Sequence, residues 1–236
     1  MTKKRSPKYL ESVKKLEPGK HYSVQEALDL LPQTSFAKFD ETIELAFRLG
    51  VDPRHADQMI RGAIVMPAGT GKTTRIVVIA SGENLSAADK AGADFVGGDD
   101  IVAKIAGGWL DFDRVIATPD MMGKLGKIGR ILGPRGLMPN PKLGTVTKDV
   151  AKAVSEQKSG KVEYRTDKNG VVHLPIGKKS FEKDKILQNF KAIVSAIVRA
   201  KPSSAKGTYI KSLTICTTMS PGIRLDVADA VDFMEK

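Results

Sequence analysis

A short run of glycines, lysine and threonines comes closest to a reactive motif. Gly69-Thr70-Gly71-Lys72-Thr73-Thr74 has the Gly-Lys-Thr ending of a phosphate-binding loop. A complete loop has a further glycine where this chain has Met66, and it leads from a buried strand into a helix. Here the apolar run 76–80, typical of a strand, follows the loop. The sequence therefore disfavours a nucleotide-hydrolysing enzyme that uses Lys72 and Thr73, and it favours a glycine-containing crossing between two domains.

The other residues that commonly do chemistry are scattered. No two of the three histidines (His21, His55 and His173) are at metal-ligand spacing, so each is interpreted as a surface or structural residue. The single cysteine, Cys216, excludes an intrachain disulfide and a cysteine-based zinc cluster. Gly97-Gly98-Asp99-Asp100 has its acids where a helix needs an N-cap and negative charge in its first turn. We therefore predict no catalytic residue, metal or cofactor.

A basic segment rich in glycine and proline is more informative. Residues 123–142 contain five basic side chains and no acid. Glycines allow a partner to approach the backbone closely, and prolines stiffen a loop and lower the entropy lost on binding. A solvated loop with structural demands of its own is the alternative. The candidate nucleic-acid contacts in this segment are Lys127, Arg130, Arg135 and Lys142.

Three further segments combine cations, hydroxyls and exposed apolar groups. They are Lys38-Phe39-Asp40-Glu41-Thr42, Arg165-Thr166-Asp167-Lys168 and Thr217-Thr218-Met219-Ser220-Pro221-Gly222. RNA recognition favours this mixture, because cations bind phosphates, hydroxyls reach 2′-OH groups and base edges, and apolar surfaces contact unstacked bases. Each segment alone is weak evidence, and turn formation would explain the last one.

Hydrophobic periodicity predicts which elements carry these segments. The helices predicted are 7–16, 23–31, 85–91, 100–106, 149–157 and 181–200, and the strands are 42–49, 62–66, 76–80, 95–96, 115–117, 162–166, 171–176 and 209–217. A last strand follows the turn at 220–222. Asn169-Gly170 predicts a hairpin between strands 162–166 and 171–176.

Two styles of pattern indicate two domains. Residues 67–159 alternate strands with short helices, which predicts a Rossmann-like βαβ domain with a mostly parallel sheet. The flanks, 1–66 plus 160–236, predict a discontinuous α+β domain with an antiparallel-rich sheet, so the fold class is α/β with an insertion. We predict a hinge at the two crossings, formed by Pro67, Gly69, Gly71, Ser159 and Gly160.

Composition restricts the class of partner. The chain has 38 basic and 27 acidic residues among 236, a net charge of +11, which attracts nucleic acids, acidic proteins or anionic lipids. Its apolar runs are far shorter than the ~20 residues of a membrane span, and no signal peptide follows the basic N-terminus. We predict a cytosolic protein that binds nucleic acid. A basic module that docks acidic proteins is the alternative.

One long motif carries a resemblance to a known family. Gly129-Arg130-Ile131-Leu132-Gly133-Pro134-Arg135-Gly136-Leu137-Met138-Pro139-Asn140-Pro141-Lys142 closely resembles the signature of the family of the first-numbered large-subunit (50S) ribosomal protein, found in the mobile stalk beside the tRNA exit site. The resemblance extends over nearly the whole chain. It includes Asp52-Pro53-Arg54, Ala117-Thr118-Pro119-Asp120-Met121-Met122 and Tyr164-Arg165.

The resemblance implies a cytoplasmic, ribosome-bound protein that is not an enzyme and has no cofactor. The partners implied are the 23S rRNA stalk, exit-site tRNA, whose deacylated form it helps to release, and the mRNA of its own operon, which it represses; membranes and nucleotides are not implied. The domain made by both termini would hold the rRNA. The contacts implied are Lys38, Phe39, Thr42, Arg54, Arg165, Lys168, His173, Thr218, Met219 and Gly222. Ser220 replaces the glycine usual in the family, so we expect it to weaken or remodel the contact.

Overall fold

The computed structural model describes residues 5–55 and 57–235. The helices are α1 Pro7–Lys14, α2 Val24–Thr34, α3 Glu83–Lys90, α4 Asp99–Ala106, α5 Met122–Leu125, α6 Gly129–Leu132, α7 Val150–Lys158, α8 Lys183–Arg199 and α9 Val227–Glu235. The strands are β1 Thr42–Leu49, β2 Arg61–Val65, β3 Ile76–Ile79, β4 Phe95–Gly97, β5 Arg114–Ala117, β6 Lys161–Arg165, β7 Val171–Lys178, β8 Ile210–Thr217 and β9 Ile223–Leu225. This mixture confirms the α/β class.

The described chain divides into two compact units. The first contains the residues up to Gly71 and those from Val162 onward, and the second is Lys72–Lys161. The crossings at 66/67 and 159/160 expected from the sequence lie five and two residues earlier. The first crossing shifts because Asn189 holds the segment: its Oδ1 accepts from Ala68 N–H at 3.0 Å, and its Nδ2 donates to the Gly69 carbonyl at 2.9 Å.

A four-stranded antiparallel sheet organises the first unit, in the order β7-β1-β8-β9. Alternation along β1 puts Ile43, Leu45, Phe47 and Leu49 on a buried inner face. The buried sides of α2 and α8 join this face in one core, in which Phe190 of α8 is 1% exposed. The strand's even-numbered residues form the outer face, where Arg48 is exposed and the others are half-buried.

The predicted hairpin between the sixth and seventh strands is wrong. The turn forms as expected, with Gly170 at φ +76° and the Asp167 N–H donating to the Val171 carbonyl at 2.8 Å. However, β6 pairs with β2 in a separate two-stranded sheet, whereas β7 pairs with β1. A local turn fixes the reversal of the chain, but long-range packing decides which strand becomes the partner.

The second unit has a three-stranded parallel sheet in the order β4-β3-β5. Every residue of β3 is buried, and its side chains alternate between two cores: Val77 and Ile79 belong to one, Ile76 and Val78 to the other. A continuous apolar run is typical of such a doubly covered strand.

The basic segment within this unit is folded rather than an open loop. It forms most of α5, all of α6 and the 3-10 turns Gly126–Ile128 and Pro141–Leu143, and it follows a further 3-10 turn, Pro119–Met121. Leu125 and Leu132 are fully buried in the core beside β5. The apolar residues between the glycines therefore anchor the segment, and its cations point outward.

Two helices differ from the predictions. The helix expected to end before Pro32 continues through it to Thr34, whose hydroxyl donates to the Leu30 and Leu31 carbonyls, both at 3.1 Å. The C-terminal α9 was not predicted. Its Asp229 accepts from the Val24 N–H at 2.9 Å, and this contact satisfies a free donor at the start of α2.

Candidate nucleic-acid interface

The predicted contacts of the first unit lie toward the two ends of β1. Thr42 pairs with Lys178 at one end, and Arg48 pairs with Val171 at the other, next to the turn that carries Lys168. Six residue steps separate the two ends, about 20 Å in an extended strand. His173 lies between them on the outer face, opposite Ala46. The outer face therefore connects two groups of predicted contacts.

The first group is the Thr-Met surface, formed by Phe39, Thr42, Lys178, Thr218 and Met219. The Thr218 Oγ1 accepts from the Thr42 N–H at 3.0 Å, and Lys178 Nζ donates to Thr42 Oγ1 at 2.9 Å. Phe39 and Met219 are 55% and 49% exposed, among the most exposed large apolar side chains described. Fixed polar groups thus stand beside two apolar side chains that are about half exposed.

A buried carboxylate holds this surface in place. Glu41 is fully buried, and it accepts hydrogen bonds from the hydroxyls of Ser35, at 2.6 Å, and Thr217. Its other oxygen accepts from the Ala37 N–H at 3.3 Å. Glu41 therefore links the segment before β1 to the end of β8, and both of its carboxylate oxygens accept hydrogen bonds from within the protein.

The neighbouring acid is also engaged within the protein. Asp40 accepts from the N–H and the hydroxyl of Ser180, at 3.0 and 2.8 Å. Lys38, two residues earlier, is exposed and has no ion pair among the residues described. The two acids in this segment thus support the loops, and Lys38 remains available to a polyanion.

The turn after β8 is closed by its serine. Ser220 Oγ accepts from the Thr217 N–H at 2.9 Å, and the Ser220 N–H donates to the Thr217 carbonyl at 3.2 Å. The side chain therefore folds back into the turn. At exposed Gly222, an added Cβ would lie 2.8 Å from Thr214 Cγ2, so this glycine permits close packing of β8 and β9.

The second group is the Arg165 surface, a cleft of about 430 Å³ with Pro53, Met59, Arg165 and Lys168 in its lining. Arg165 Nη2 donates to the Met59 sulfur at 3.4 Å. Arg54 is exposed, and its N–H donates to Asp52 Oδ1 at 3.0 Å. This group therefore again combines cations with a soft apolar side chain.

Lys168 lies in a turn that the side chain of Asp167 stabilises. Asp167 Oδ1 accepts from the N–H groups of Val171 and Asn169, each at 2.8 Å. These bonds, led by that from Val171, lower the pKa of Asp167, with a smaller contribution from the nearby His173. The carboxylate is thus used to form the turn.

The four predicted contacts of the second unit are all exposed. Within the described residues, none of them forms an ion pair, in contrast to Lys124, whose Nζ lies 2.6 Å from Asp99 Oδ1. They are Lys127, Arg130, Arg135 and Lys142. Their guanidinium and ammonium groups are therefore free to bind phosphates.

The glycine-lysine-threonine run has no phosphate-loop geometry. Lys72 Nζ forms an ion pair with Asp113 Oδ1 at 3.0 Å, and β3 follows the run in place of a helix. The backbone N–H of Arg75 donates to Asp113 at 3.1 Å; this bond first, and Lys72 second, lower the pKa of Asp113. Lys72 is thus a structural partner within the second unit.

The remaining candidate groups have structural surroundings. The N-cap of α4 is Gly98 and not an aspartate, but Asp99 and Asp100 lie in the first turn as expected. Asp100 Oδ1 accepts from the Gly98 N–H at 2.8 Å, the contact that chiefly lowers the pKa of Asp100. Cys216 lies on the outer face of β8, where burial first and Glu44 second raise the pKa of its thiol. Across residues 5–55 and 57–235, no three His, Cys, Asp or Glu side chains are grouped as metal ligands.

Sequence reasoning missed Lys178, Glu41 and Met59. Lys178 ends a strand whose predicted limit was residue 176, and its role depends on pairing with Thr42. Glu41 was part of a recognised motif, but nothing local shows that it is buried against Thr217. Met59 lies before β2, and only the pairing of β2 with β6 brings it to Arg165.

The helices within the described residues are all too short or too polar to cross a membrane.

Comparison with known families agrees with this geometry. The sequence profile of the Ribosomal protein L1p/L10e family matches residues 31–221, which contain all of the predicted contacts except Gly222. Members of this family are structural proteins of the large ribosomal subunit that bind rRNA and are not enzymes. The match covers most of the chain, and the protein belongs to the Ribosomal protein L1p/L10e family.

Proposed function

We propose that the first unit binds the mobile stalk of 23S rRNA through the Thr-Met and Arg165 surfaces. The observation that carries this proposal is the exposure of Phe39 and Met219 beside hydroxyls that backbone bonds hold in place. Exposed aromatic and thioether groups stack on unpaired bases and sugars, and hydroxyls recognise 2′-OH groups. RNA loops and junctions present unpaired bases, whereas a regular duplex pairs and stacks its bases.

The cations supply affinity rather than sequence selectivity. Lys38, Arg54, Arg165 and Lys168 are exposed, and among the described residues none forms an ion pair. Each phosphate that such a side chain neutralises releases counterions, so binding weakens as salt rises. Selectivity for the stalk then rests on the Thr-Met surface.

We further propose two finer roles for the family fold in this chain. The exposed cations of the second unit, which include Arg130 and Arg135, would contact exit-site tRNA and assist its release after deacylation. The same Thr-Met surface would bind an mRNA site of the protein's own operon that mimics the stalk, and this binding would repress translation.

Movement of the second unit would accompany tRNA release. The proposed hinge contains Pro67, Gly69, Gly71, Ser159 and Gly160, and its three glycines all have positive φ. Asn189 anchors the segment around Gly69 to the first unit, so the conformational change would concentrate at Gly71 and Gly160.

The test is competitive binding with three RNAs: a 23S stalk fragment, the leader of the operon mRNA and an unrelated hairpin of equal length. The proposal predicts that the stalk fragment and the leader displace each other from one site and that both displace the hairpin. Equal affinity for all three RNAs would contradict the proposal. Met219→Ala should weaken the first two and leave the hairpin unchanged.

A further inference from the structure

The outer face of the four-stranded sheet carries a group of cations outside both surfaces described above. A cleft of about 540 Å³ has His21, Arg48, Lys211 and Arg224 in its lining, together with hydroxyl-bearing Ser212 and Thr214. We call Arg48, Lys211 and Arg224 the sheet strip. All three side chains are exposed, and in the described part of the chain none has an acidic partner within 4.0 Å.

Strand register brings the strip together. Arg48 pairs with Ser212 across β1 and β8, and Thr214, two residues along, pairs with Arg224 of β9. Arg48 and Arg224 therefore stand on the same face on either side of β8. Two strand spacings of about 4.8 Å and an offset of two residues, about 7 Å, separate the backbones of Arg48 and Arg224 by roughly 12 Å. Two arginine side chains at that separation can contact neighbouring phosphates of one RNA strand.

A β-bulge adds the third cation. The pairing shifts between Arg48 and Leu49, so that Lys211 is left without a partner in β1. Lys211 and Ser212 are consequently both exposed, which breaks the alternation of buried and exposed residues along β8. A bulge redirects side chains in this way. Here it places Lys211 beside Arg48.

The acids near the strip do not neutralise it. Asp226 also lines the cleft, but its Oδ1 accepts from the Ala228 N–H at 2.8 Å at the start of α9. Glu44 lies on the same face four residues from Arg48, where it pairs with Cys216 and Pro175. In the lining of the cleft, the three permanent cations thus accompany one acid, Asp226, which is engaged at the start of α9.

We propose that the sheet strip binds the phosphate backbone of a double-helical RNA segment, adjoining the loop or junction held by the Thr-Met surface. This inference rests on the proposed function and extends its footprint. The outer face extends from Thr42 past Ala46, which pairs with His173, to Arg48, with one β-bulge between Ile43 and Glu44, so one RNA can lie along it. Cations and hydroxyls predominate in the cleft that contains the strip, a composition that contacts phosphates and 2′-OH groups.

Removal of the two arginines tests the strip. Arg48→Gln with Arg224→Gln should make the plot of log affinity against log salt shallower by about two, because each lost phosphate contact lowers the slope by about one. Affinity at moderate salt should fall roughly five- to ten-fold. The loss should be equal for the stalk fragment and for an unrelated hairpin, so their affinity ratio stays constant.

The matched control removes the same charge elsewhere. Arg199→Gln with Lys201→Gln lowers the net charge by two at the end of α8, whose buried side chains belong to the core on the inner face. This variant should keep the wild-type slope. Thermal unfolding of both variants should match the wild type, because all four side chains are exposed.

The outcomes separate the two claims. A wild-type protein without preference for the stalk overturns the proposed function. A selective wild type whose arginine variant behaves like the control overturns the sheet strip alone. When Lys211→Gln is added to the arginine variant, the salt slope should fall by about one more. An unchanged slope would show that Lys211 does not belong to the strip.

Discussion

Thr42 and Thr218 exchange two hydrogen bonds across 176 residues of sequence: the Thr42 N–H donates to the Thr218 hydroxyl at 3.0 Å, which in turn donates to the Thr42 carbonyl at 3.3 Å. The inserted unit separates these residues along the chain, and the first unit reunites them beside Lys178. The hydroxyl of Thr218 is thereby oriented before any RNA arrives. Such preorganisation lowers the entropy lost on binding.

Thr218→Val removes this hydroxyl and keeps the side-chain shape. We expect stalk affinity to fall about five-fold, because one net hydrogen bond is worth about 1 kcal/mol. Thr218→Ser retains the hydroxyl and serves as the control, with affinity within about two-fold of the wild type. Equal losses in both variants would contradict the assigned role of the hydroxyl. Equilibrium binding at fixed salt is the measurement.

Phe39→Ala should weaken stalk binding by about 1–3 kcal/mol, the range for an aromatic side chain that stacks on a base. Met219→Ala should weaken it by about 0.3–1.5 kcal/mol, the range for a thioether against an aromatic ring. Neither change should lower the thermal unfolding temperature, since about half of each side chain is exposed. A matched truncation at buried Phe47 should instead cost about 3–5 kcal/mol of stability. If the alanine variants lose stability together with RNA affinity, these side chains serve packing and not RNA binding.

Ser220→Gly restores the residue usual in the family and tests the expectation that serine weakens RNA binding. Because Ser220 Oγ accepts from Thr217 N–H within the turn, we expect a stability loss of about 0.5–1 kcal/mol and no more than about a two-fold gain in affinity. A gain of ten-fold or more would show that the serine obstructs RNA. Ser220→Ala separates loss of the hydroxyl from the added freedom of glycine.

Asp113→Asn tests the ion pair in the second unit. Contacts with the Arg75 N–H and with Lys72 hold the folded-state pKa of Asp113 below its usual value. The stabilisation is therefore complete above the unfolded pKa, near 4, and it is lost as pH falls through the folded value. The variant should be less stable by about 1 kcal/mol at pH 7, and this difference should shrink in acid.

Trp109 reports this unfolding selectively. It is the single tryptophan, and its ring lies 5.2 Å from Phe112 in the core of the second unit. Fluorescence measured during urea unfolding at pH 7 and pH 3 therefore follows the unit that contains Asp113. A stability difference that stays constant between the two pH values would contradict the ion-pair account.

Asn189→Ala should destabilise the first unit by about 2–4 kcal/mol. The fully buried amide bonds Ala68, Gly69 and Ile176, so truncation leaves three backbone groups without partners. Circular dichroism should show the loss, whereas the Trp109 transition should stay within about 0.5 kcal/mol of the wild type. An equal shift of both signals would show that the two units unfold together.

Elements with strong periodicity were predicted well from the sequence. The limits of β1 agree residue for residue, because Ile43, Leu45 and Phe47 alternate with half-exposed neighbours. The capping box at Ser23 and Glu26 likewise marked the start of α2, and both of its hydrogen bonds form. In these cases local chemistry and tertiary packing favour the same structure.

Predictions failed where long-range packing decides. The Asn169-Gly170 turn was identified correctly, but the pairing of β6 with β2 depends on residues about 100 positions apart. The helix through Pro32 continues because it loses only one backbone donor near its end. The many glycines of the basic segment 123–142 predict a loop. The segment folds because Leu125 and Leu132 pack into the core of the second unit, which the local sequence does not show.

The candidate site was predicted as residue types but not as an arrangement. The sequence names Phe39, Thr218 and Met219, yet only the register of β1 with β8 shows that they share one end of the sheet. Lys178 and the sheet strip depend on pairing and on a β-bulge, and neither feature leaves a local signal in the sequence.

Salt-titrated binding of the purified protein to a 23S stalk fragment, with an unrelated hairpin of equal length as control, shows whether the first unit selects the stalk. We expect tighter binding to the stalk at every salt concentration and steep weakening with salt for both RNAs. Equal affinities for the two RNAs at matched salt would contradict this expectation.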